Sequence, residues 1–182
     1  MKKILLASVL SFGLLTSLNA YELNGDLGVK WTGFKTEKRA AVSGTFNDIK
    51  LDIKSSDNLS TFLKSSIVTI ETGSFESKNP GRNLNITSTL FALSSTKTIK
   101  GLIISVNEAE QKLDLLVVMN EVSQTIPMRY SILNGNIVAK GTIDVLDFNM
   151  NSSYMAFVKK CAALHQNKSF SDVDIEFTLP YK

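Results

Sequence analysis

Two neighbouring stretches, Leu113-Asp-Leu-Leu-Val-Val-Met-Asn120 and Ile126-Pro-Met-Arg-Tyr-Ser-Ile132, decide the fold class of this chain. Every second residue in each stretch is apolar, which predicts two β-strands that each present one apolar wall. Leu116 and Val118 make the second face of the first strand apolar too, so we expect it to be covered on both sides. The segment between them, Glu121-Val-Ser-Gln-Thr125, is short and mostly polar, which predicts the loop of an antiparallel hairpin. The apolar walls enclose either a packed core or a ligand.

Similar alternation elsewhere predicts a domain made mostly of β-strands. Further strands are expected at Tyr21–Lys38, Ala41–Lys54, Ile67–Phe75, Thr98–Val106, Ile137–Val145 and Asp172–Tyr181. Glycines in the first of these predict the bend that closing a barrel requires. In the fourth, Leu102, Ile104 and Val106 share one face, and the sequence Asn134-Gly-Asn136 predicts a hairpin turn before the fifth.

The predicted strand Ala41–Lys54 changes phase part of the way along. Its apolar positions are even-numbered up to Phe46 and odd-numbered from Ile49 onward. Because the side chains of a strand alternate with a period of two, a one-residue slip at Asn47-Asp48 turns the apolar face over. The slip predicts either one long strand with a bulge or two strands joined by a tight turn.

Four segments break the β pattern. Asp57 is expected to cap a short helical turn. Glu76–Leu84 contains a strong turn signal and is expected to be the loosest part of the chain. Asn85–Leu93 is ambiguous and favours a loop with a helical turn. Asn151–His165 is expected to form a helix with one apolar side, capped by Ser152 or Ser153.

Strands joined by short turns, with one late helix and no βαβ rhythm, predict a single antiparallel barrel or sandwich. Residues 1–20 precede it and have the three parts of a secretory signal peptide: Lys2 and Lys3, an apolar stretch, and a small residue at Ala20. The apolar run is short and interrupted, so we expect cleavage after Ala20 rather than a membrane anchor. The mature domain, residues 21–182, is then expected to be exported.

Charge and cysteine content narrow the class of protein. The net charge is only +3, and Lys2 and Lys3 of the predicted signal peptide contribute to it. The mature domain therefore lacks the basic field expected of a nucleic-acid-binding protein. Cys161 is the single cysteine, so no intrachain disulfide forms. It is expected to be a small buried apolar residue, with pairing between chains as the alternative.

His165 and Cys161 are the residues that most resemble a catalytic or metal-binding pair. They lie one helical turn apart, but a metal site usually needs three or four ligands, and the chain has no other Cys or His. A structural His165 is therefore expected. The acidic residues Asp172, Asp174 and Glu176 alternate along a strand, which is typical of a solvated face. No glycine loop for phosphate is present. The chain is expected to be no enzyme and to use no cofactor or metal.

A resemblance to a known family rests on segments that cover almost all of the mature chain in order. They are Val29–Lys35 with Val42–Phe46, Ile67–Gly73 with Arg82, Leu113–Tyr130 with Asn120 and Gln124–Met128, and Asp147–Met150 through Cys161 and His165 to Ser171–Phe177. Together they resemble the YceI family of exported, lipocalin-like, polyisoprenoid-binding proteins. The chain departs from the family pattern at Asn83, where many members carry an acid, and at Phe170, where a Trp is frequent.

The resemblance implies an antiparallel eight-stranded lipocalin-like barrel with a helix near one end. It implies an elongated apolar cavity that holds a long-chain isoprenoid or similar fatty amphiphile without covalent chemistry. Such a periplasmic protein would act in transport, storage or sequestration of the lipid, and members are often homodimers. A small barrel can also fill its lumen with side chains, so a structural or stress-linked interaction module with a packed core is the alternative.

The residues predicted to line the cavity are inward-facing and apolar or aromatic: Trp31, Phe34, Phe46, Leu51, Ile70, Phe91, Leu115, Val117, Met119, Met128, Tyr130, Ile143, Phe148, Phe157, Phe170, Ile175 and Phe177. Tyr130 is the most specific of these predictions, because its ring suits an apolar wall and its hydroxyl suits contact with a polar head group. Pro127 cannot donate to a strand ladder and predicts a bend or a locally unpaired position.

Overall fold

The structure, a computed structural model, describes residues 20–182. The predicted signal peptide therefore lies outside the described residues, apart from Ala20. Within this range the strands are β1 (Gly28–Lys35), β2 (Ala40–Phe46), β3 (Ile49–Asp52), β4 (Ile67–Glu71), β5 (Phe75–Glu76), β6 (Thr98–Asn107), β7 (Lys112–Met119), β8 (Val122–Leu133), β9 (Asn136–Asp144) and β10 (Ser169–Pro180). The helices are α1 (Leu59–Lys64), α2 (Pro80–Thr89) and α3 (Asn151–Cys161), with 3₁₀ turns at Thr72–Ser74, Val145–Phe148 and Ala163–His165.

The strands form one antiparallel sheet in the order β3-β4-β6-β7-β8-β9-β10-β1-β2-β5. The two edges of this order meet, because β3 continues β2 and β5 continues β4 along the chain. Across the interruption the Asn47 N–H donates to the Ser74 carbonyl oxygen at 2.9 Å, and the Glu71 N–H donates to the Asp48 carbonyl oxygen at 3.1 Å. The ladder therefore closes the sheet into a barrel.

The predicted mainly β, antiparallel barrel is confirmed. The ten strand segments of residues 20–182 make eight barrel strands once β2 is joined to β3 and β4 to β5. β2 pairs with β1 and β5, whereas β3 pairs with β4, and β2 and β3 do not pair with each other. Of the two alternatives for Asn47-Asp48, the long interrupted strand is therefore correct.

The hairpin of β7 and β8 has the predicted inward faces but a shorter turn. Leu113 pairs with Met128 and Met119 pairs with Val122, which leaves Asn120 and Glu121 alone as the turn. Both have positive φ, 53° and 65°, as in the type I′ turn that suits a two-residue hairpin. The predicted loop at 121–125 was wrong, because residues 122–125 belong to β8. The pairing of β8 with β9 begins at Arg129. Pro127 precedes it, so the N–H that proline lacks is not needed for pairing with β9.

A bulge in β6 overturns the predicted face of that strand. The register to β7 shifts between Ile103 and Ser105, which places one extra residue in β6. Ile103 is therefore buried, at 6% exposure, whereas Ile104 is 48% exposed. Val106 returns to the inner face and packs against the core. The shared face predicted for Leu102, Ile104 and Val106 was wrong, because residues 102–104 are all apolar and the sequence therefore shows no change of phase at the bulge.

The segment predicted to be the loosest part of the chain contains the start of α2. The Asn79 side chain accepts a hydrogen bond from the Arg82 N–H at 2.9 Å, and Pro80 occupies the first helical position. An Asn cap followed by Pro is a favourable helix start, because Pro lacks the N–H that would be unpaired there. The expected loose turn at Glu76–Leu84 was therefore wrong. The loop with a helical turn expected at Asn85–Leu93 is present, because α2 continues to Thr89 and turn residues follow it.

The N-caps of the other two helices lie one to three residues from the predicted caps. Asn58, not Asp57, caps α1, and its side chain accepts from the Thr61 N–H at 2.8 Å. The N-cap of α3 is Met150, without a side-chain bond, so neither Ser152 nor Ser153 caps that helix. The predicted helix over 151–165 is otherwise present, with its last residues in a 3₁₀ turn.

The helices cover the two ends of the barrel. α1 connects β3 to β4 and closes one end, where Phe62 and Leu63 have no exposed surface and Tyr21 stacks on Phe62 with ring centroids 5.9 Å apart. α2 and α3 pack against each other at the opposite end. No helix in residues 20–182 is long and apolar enough to cross a lipid bilayer.

Side chains of the β7–β8 hairpin hold the helical end in place. The Asn120 side chain donates to the Phe148 carbonyl oxygen at 2.9 Å and accepts from the Ser95 N–H at 2.7 Å. The Gln124 side chain donates to the Asp147 carbonyl oxygen at 2.8 Å. These bonds fix the 3₁₀ turn that leads into α3, and with it the position of α3 over the barrel end.

Candidate ligand-binding cavity

An inner chamber of about 180 Å³ lies in the barrel lumen. Side chains from all ten described strands line it, and nearly all of them are apolar. The charged residues at its wall belong to the outer surface: the Glu176 carboxylate forms an ion pair with Lys140 at 3.0 Å, and Lys100 is exposed. Ser66 donates its hydroxyl hydrogen bond to the Leu63 carbonyl oxygen at 2.6 Å. The chamber offers a ligand dispersion contacts and little hydrogen bonding.

An outer chamber of about 360 Å³ lies at the helical end of the barrel, a volume in the range of small-molecule sites. Its walls come from α2, α3, the end of β1 and the start of β10. Phe34, Phe157 and Phe170 supply its aromatic surface. Its polar groups lie on Lys35, Asn79, Arg82, Asn85, Tyr154, His165 and Ser171. The outer chamber therefore combines an apolar wall with a polar rim, which the inner chamber lacks.

The two chambers share a set of wall residues, which form a neck between them: Trp31, Ile86, Leu90, Val145 and Val173. Trp31 is 8% exposed and stacks on Phe75 with ring centroids 4.4 Å apart. Its indole N–H donates to the Thr45 carbonyl oxygen at 3.3 Å, which fixes the plane of the ring. The two chambers are therefore neighbours, and Trp31 lies between the polar rim and the lumen.

Gly44 makes room for the Trp31 ring. A Cβ at position 44 would lie 2.1 Å from the Glu76 carbonyl oxygen and 2.5 Å from the indole. Real side chains never approach so closely, so any other residue would displace either β5 or the neck tryptophan. The Val42–Phe46 segment of the family resemblance therefore has a physical role in shaping the neck.

The polar groups of the outer chamber are partly engaged with each other. The Tyr154 hydroxyl donates to the Ser169 carbonyl oxygen at 3.0 Å, and burial raises its pKa. His165 Nδ1 lies 2.7 Å from the Ser169 hydroxyl, and its ring edge faces Phe157 with centroids 5.5 Å apart. Burial lowers the pKa of His165, and the positive charges of Lys35 and Arg82 lower it further. His165 is therefore a neutral ring in the wall at neutral pH.

Cys161 lies in the wall of the same chamber. Its thiol is 3% exposed, and burial raises its pKa, which lowers the fraction present as reactive thiolate. Within residues 20–182, no three side chains of the metal-binding types His, Cys, Asp and Glu come together. Cys161 and His165 therefore contribute apolar surface and one hydrogen bond to the chamber.

The structure places all but three of the predicted cavity residues in the walls of the two chambers. Phe34, Phe157 and Phe170 line the outer chamber, and Trp31 lines both. The others line the inner chamber: Phe46, Leu51, Ile70, Leu115, Val117, Met119, Met128, Ile143, Ile175 and Phe177. All of them except Phe157, which lies in α3, are strand residues.

Phe91, Tyr130 and Phe148 lie outside both walls. Phe91 packs behind Phe75, with ring centroids 6.1 Å apart. Phe148 is fully buried in the 3₁₀ turn before α3. Tyr130 is 5% exposed at the end that α1 closes, far along the strand from the polar rim, and burial raises its pKa. A head-group contact by Tyr130 is therefore ruled out for a ligand whose polar end lies at the rim.

The prediction missed residues of two kinds. The first kind lies in α2 and at its C-cap, where a turn and a loop with a helical turn were expected. These residues are Arg82, Asn85, Ile86 and Leu90. The second kind is small or short, such as Gly33 and Gly101, whose positions face the cavity without adding an apolar signal. A helical-wheel projection of residues 80–90 would have identified the α2 residues, because Ile86 and Leu90 lie one helical turn apart.

A closed antiparallel barrel of eight strands with an apolar chamber inside is the architecture of lipocalin-like barrels. The family model of the YceI-like domain matches residues 16–180. The chain belongs to this family, and the predicted resemblance is confirmed. A comparison with curated proteins gave no match.

Solved structures with the same fold include three from different bacteria. A polyisoprenoid binding domain from Saccharophagus degradans is 15% identical with a TM-score of 0.60, over 90% of this chain and 98% of that one. BcnA of Burkholderia cenocepacia is 13% identical with a TM-score of 0.58, over 84% and 94%. A YceI protein of Campylobacter jejuni is 16% identical with a TM-score of 0.54, over 76% and 84%. At these identities the likeness establishes the shared fold.

Proposed function

We propose that this protein binds a long-chain amphiphile, an isoprenoid or a similar fatty molecule, non-covalently in its barrel. The tail lies in the inner chamber, passes the neck at Trp31 and leaves the polar end at the rim of the outer chamber. One observation carries this proposal: the two chambers share five wall residues, so the apolar lumen lies directly next to the chamber that has the polar rim. The name of the Saccharophagus relative supports the isoprenoid class.

The apolar walls supply the binding free energy. Each methylene that leaves water contributes about 0.8 kcal/mol, so a buried chain of about ten carbons gains about 8 kcal/mol. This transfer free energy corresponds to a dissociation constant of about 1 μM, before the cost of immobilising the chain is counted. Binding of a lipid in the micromolar range is thus within reach of the cavity, and no chemical step or cofactor is part of the proposal.

The proposed location is the periplasm, where the protein transports, stores or sequesters its lipid. The basic start, apolar stretch and small residue at Ala20 support export. An aqueous compartment between two membranes gives a long alkyl chain no solvent, so a protein cavity is a suitable carrier. Homodimer formation, which the family resemblance implies, is a further part of this proposal and is tested by light scattering on the purified protein.

The decisive test is to express the full chain with its own leader in a Gram-negative host and to purify it from the periplasm. Native mass spectrometry before and after solvent extraction is expected to show one bound lipid per barrel. The extracted protein is then expected to bind a fluorescent long-chain probe that lipid displaces. A protein that carries no lipid and binds no long-chain probe would overturn the proposal and leave the packed structural module.

A further inference from the structure

The charged groups that line the outer chamber are all cationic. Lys35 at the end of β1 and Arg82 in the first turn of α2 lie on its wall, and no Asp or Glu is among its described lining residues. The whole chain, by contrast, has 20 basic and 17 acidic residues. A chamber wall with one sign of charge is therefore a local feature that the composition does not explain.

Two acidic residues that adjoin chamber residues in the sequence already have partners. The Asp172 carboxylate binds Arg39 outside the chamber, and the Asp144 carboxylate accepts hydrogen bonds from Ser171 at 2.9 Å and from the Leu146 N–H at 2.9 Å. Within residues 20–182 neither Lys35 nor Arg82 forms an ion pair.

Arg82 has spare hydrogen-bonding capacity. It donates one guanidinium hydrogen bond, at 3.3 Å, to the Ser77 carbonyl oxygen. A guanidinium has five N–H donors in a planar fork, so most of its donors are available to a ligand. Arginine is also the side chain best suited to bidentate binding of a carboxylate or a phosphate.

Both cations face the same space as His165. Each lowers the pKa of that imidazole, although burial has the larger effect. Lys35 and Cys161 of α3 line the same chamber. Three elements, β1, α2 and the turn after α3, therefore surround one positively charged region at the polar rim of the outer chamber.

We propose that the outer chamber selects amphiphiles with an anionic head group, a phosphate or a carboxylate, which Arg82 and Lys35 bind. This inference rests on the proposed lipid-binding function and adds the chemistry of the head group to it. The tail contributes affinity through the chamber walls, whereas the two cations distinguish a charged lipid from a neutral lipid of the same chain length.

Matched pairs of ligands test the inference separately from lipid binding itself. Geranylgeranyl phosphate is compared with geranylgeraniol, and palmitic acid with hexadecanol, by displacement of a fluorescent long-chain probe. The acidic member of a pair is expected to bind at least about tenfold more tightly, since hydrogen bonds to charged groups are the stronger ones. Raising the salt concentration is expected to weaken the acids and to leave the alcohols unchanged. The two pairs also separate a phosphate preference from a carboxylate preference.

Charge-removing variants locate the effect. Arg82→Gln and Lys35→Gln are each expected to weaken binding of the acids about tenfold and to leave the alcohols within about twofold. The matched controls are Arg129→Gln and Lys30→Gln, which remove the same charges from exposed positions on the outer face of the barrel. The controls are expected to bind both members of each pair like the unchanged protein.

His165 gives a second readout, because it is the single histidine of the chain. An anionic head group beside it is expected to raise its pKa in an NMR titration, whereas the alcohol of the same length does not. Equal binding of acid and alcohol, with no response to Arg82→Gln or Lys35→Gln, would refute the inference and leave lipid binding intact. Failure of all four ligands to bind would refute the proposed function itself.

Discussion

Filling the inner chamber from its own wall tests whether a ligand tail occupies it. Gly101 lies on β6 between Val68 and Val117, and all three line the inner chamber. A Cβ at position 101 would meet its nearest neighbour, the Leu115 Cδ1, at 3.6 Å, which is ordinary van der Waals contact. Gly101→Leu is therefore expected to fold and to project its side chain into the lumen.

The expected loss of affinity follows from the carbons that the new side chain displaces. Leucine adds four carbons to a chamber of about 180 Å³. If these replace about four carbons of the tail, binding weakens by about 3 kcal/mol, or about a hundredfold in dissociation constant. A ligand too short to pass the Trp31 neck is expected to lose little.

Probe displacement with palmitic acid and with a chain of six carbons measures this difference, and urea unfolding shows that the variant is folded. Gly73→Leu is the matched control, because Gly73 is exposed outside both chambers and a Cβ there meets nothing within 4 Å. Unchanged palmitic acid affinity in a stable Gly101→Leu protein would refute the placement of the tail. An equal loss for the short chain would instead point to distortion of the outer chamber.

Three further predictions concern stability and reactivity. Phe62→Ala removes a side chain with no exposed surface from the closed end, and is expected to cost about 4 kcal/mol in urea unfolding, whereas Leu133→Ala at a 65% exposed position changes less than about 0.5 kcal/mol. Arg39 holds the pKa of Asp172 below its usual range, so the pair stabilises the fold above the unfolded carboxyl pKa of about 4 and loses this effect as the pH falls through the folded pKa. Asp172→Asn is therefore expected to cost under about 1 kcal/mol at neutral pH, and a cost that grows on acidification would contradict this reasoning. The buried Cys161 thiol, whose pKa is raised, is expected to react with a disulfide reagent at least about tenfold more slowly than free cysteine, and more slowly still with a bound amphiphile; a ligand that leaves the rate unchanged does not occupy the outer chamber.

The alternation of apolar residues predicted the barrel because each strand buries one face. Val173, Ile175, Phe177 and Leu179 of β10 all face inward as expected. The prediction of inward residues failed at the bulge beside Ile104, where the alternation of inward and outward positions shifts by one residue. The residue inserted at this bulge turns the inward positions outward, and because residues 102–104 are all apolar the sequence shows no change of phase there.

The start of α2 was misread because the same residues serve two structures. Asn79, Pro80 and Gly81 are typical of turns, yet an Asn cap and a Pro at the first position also begin a helix. The residues that decide between the two lie further along, where Ile86 is buried at the neck. The packing of α2 against α3, which comes much later in the chain, is not visible locally, so the spacing of Ile86 and Leu90 was the single local signal for the helix.

Whether the lumen is packed or open depends on how far the inward side chains reach. The alternation along a strand predicts which side chains point inward, but not how much space they fill. Three glycines on inward-facing positions show the difference along the barrel. At Gly141 a Cβ would lie 3.0 Å from Met128 Cγ, so a neighbour has already taken the space. At Gly101 the nearest atom is 3.6 Å away, and at Gly33 nothing lies within 4 Å. The space beside an inward position therefore differs from one glycine to the next, and of these three it is largest at Gly33, which lines the outer chamber at the helical end.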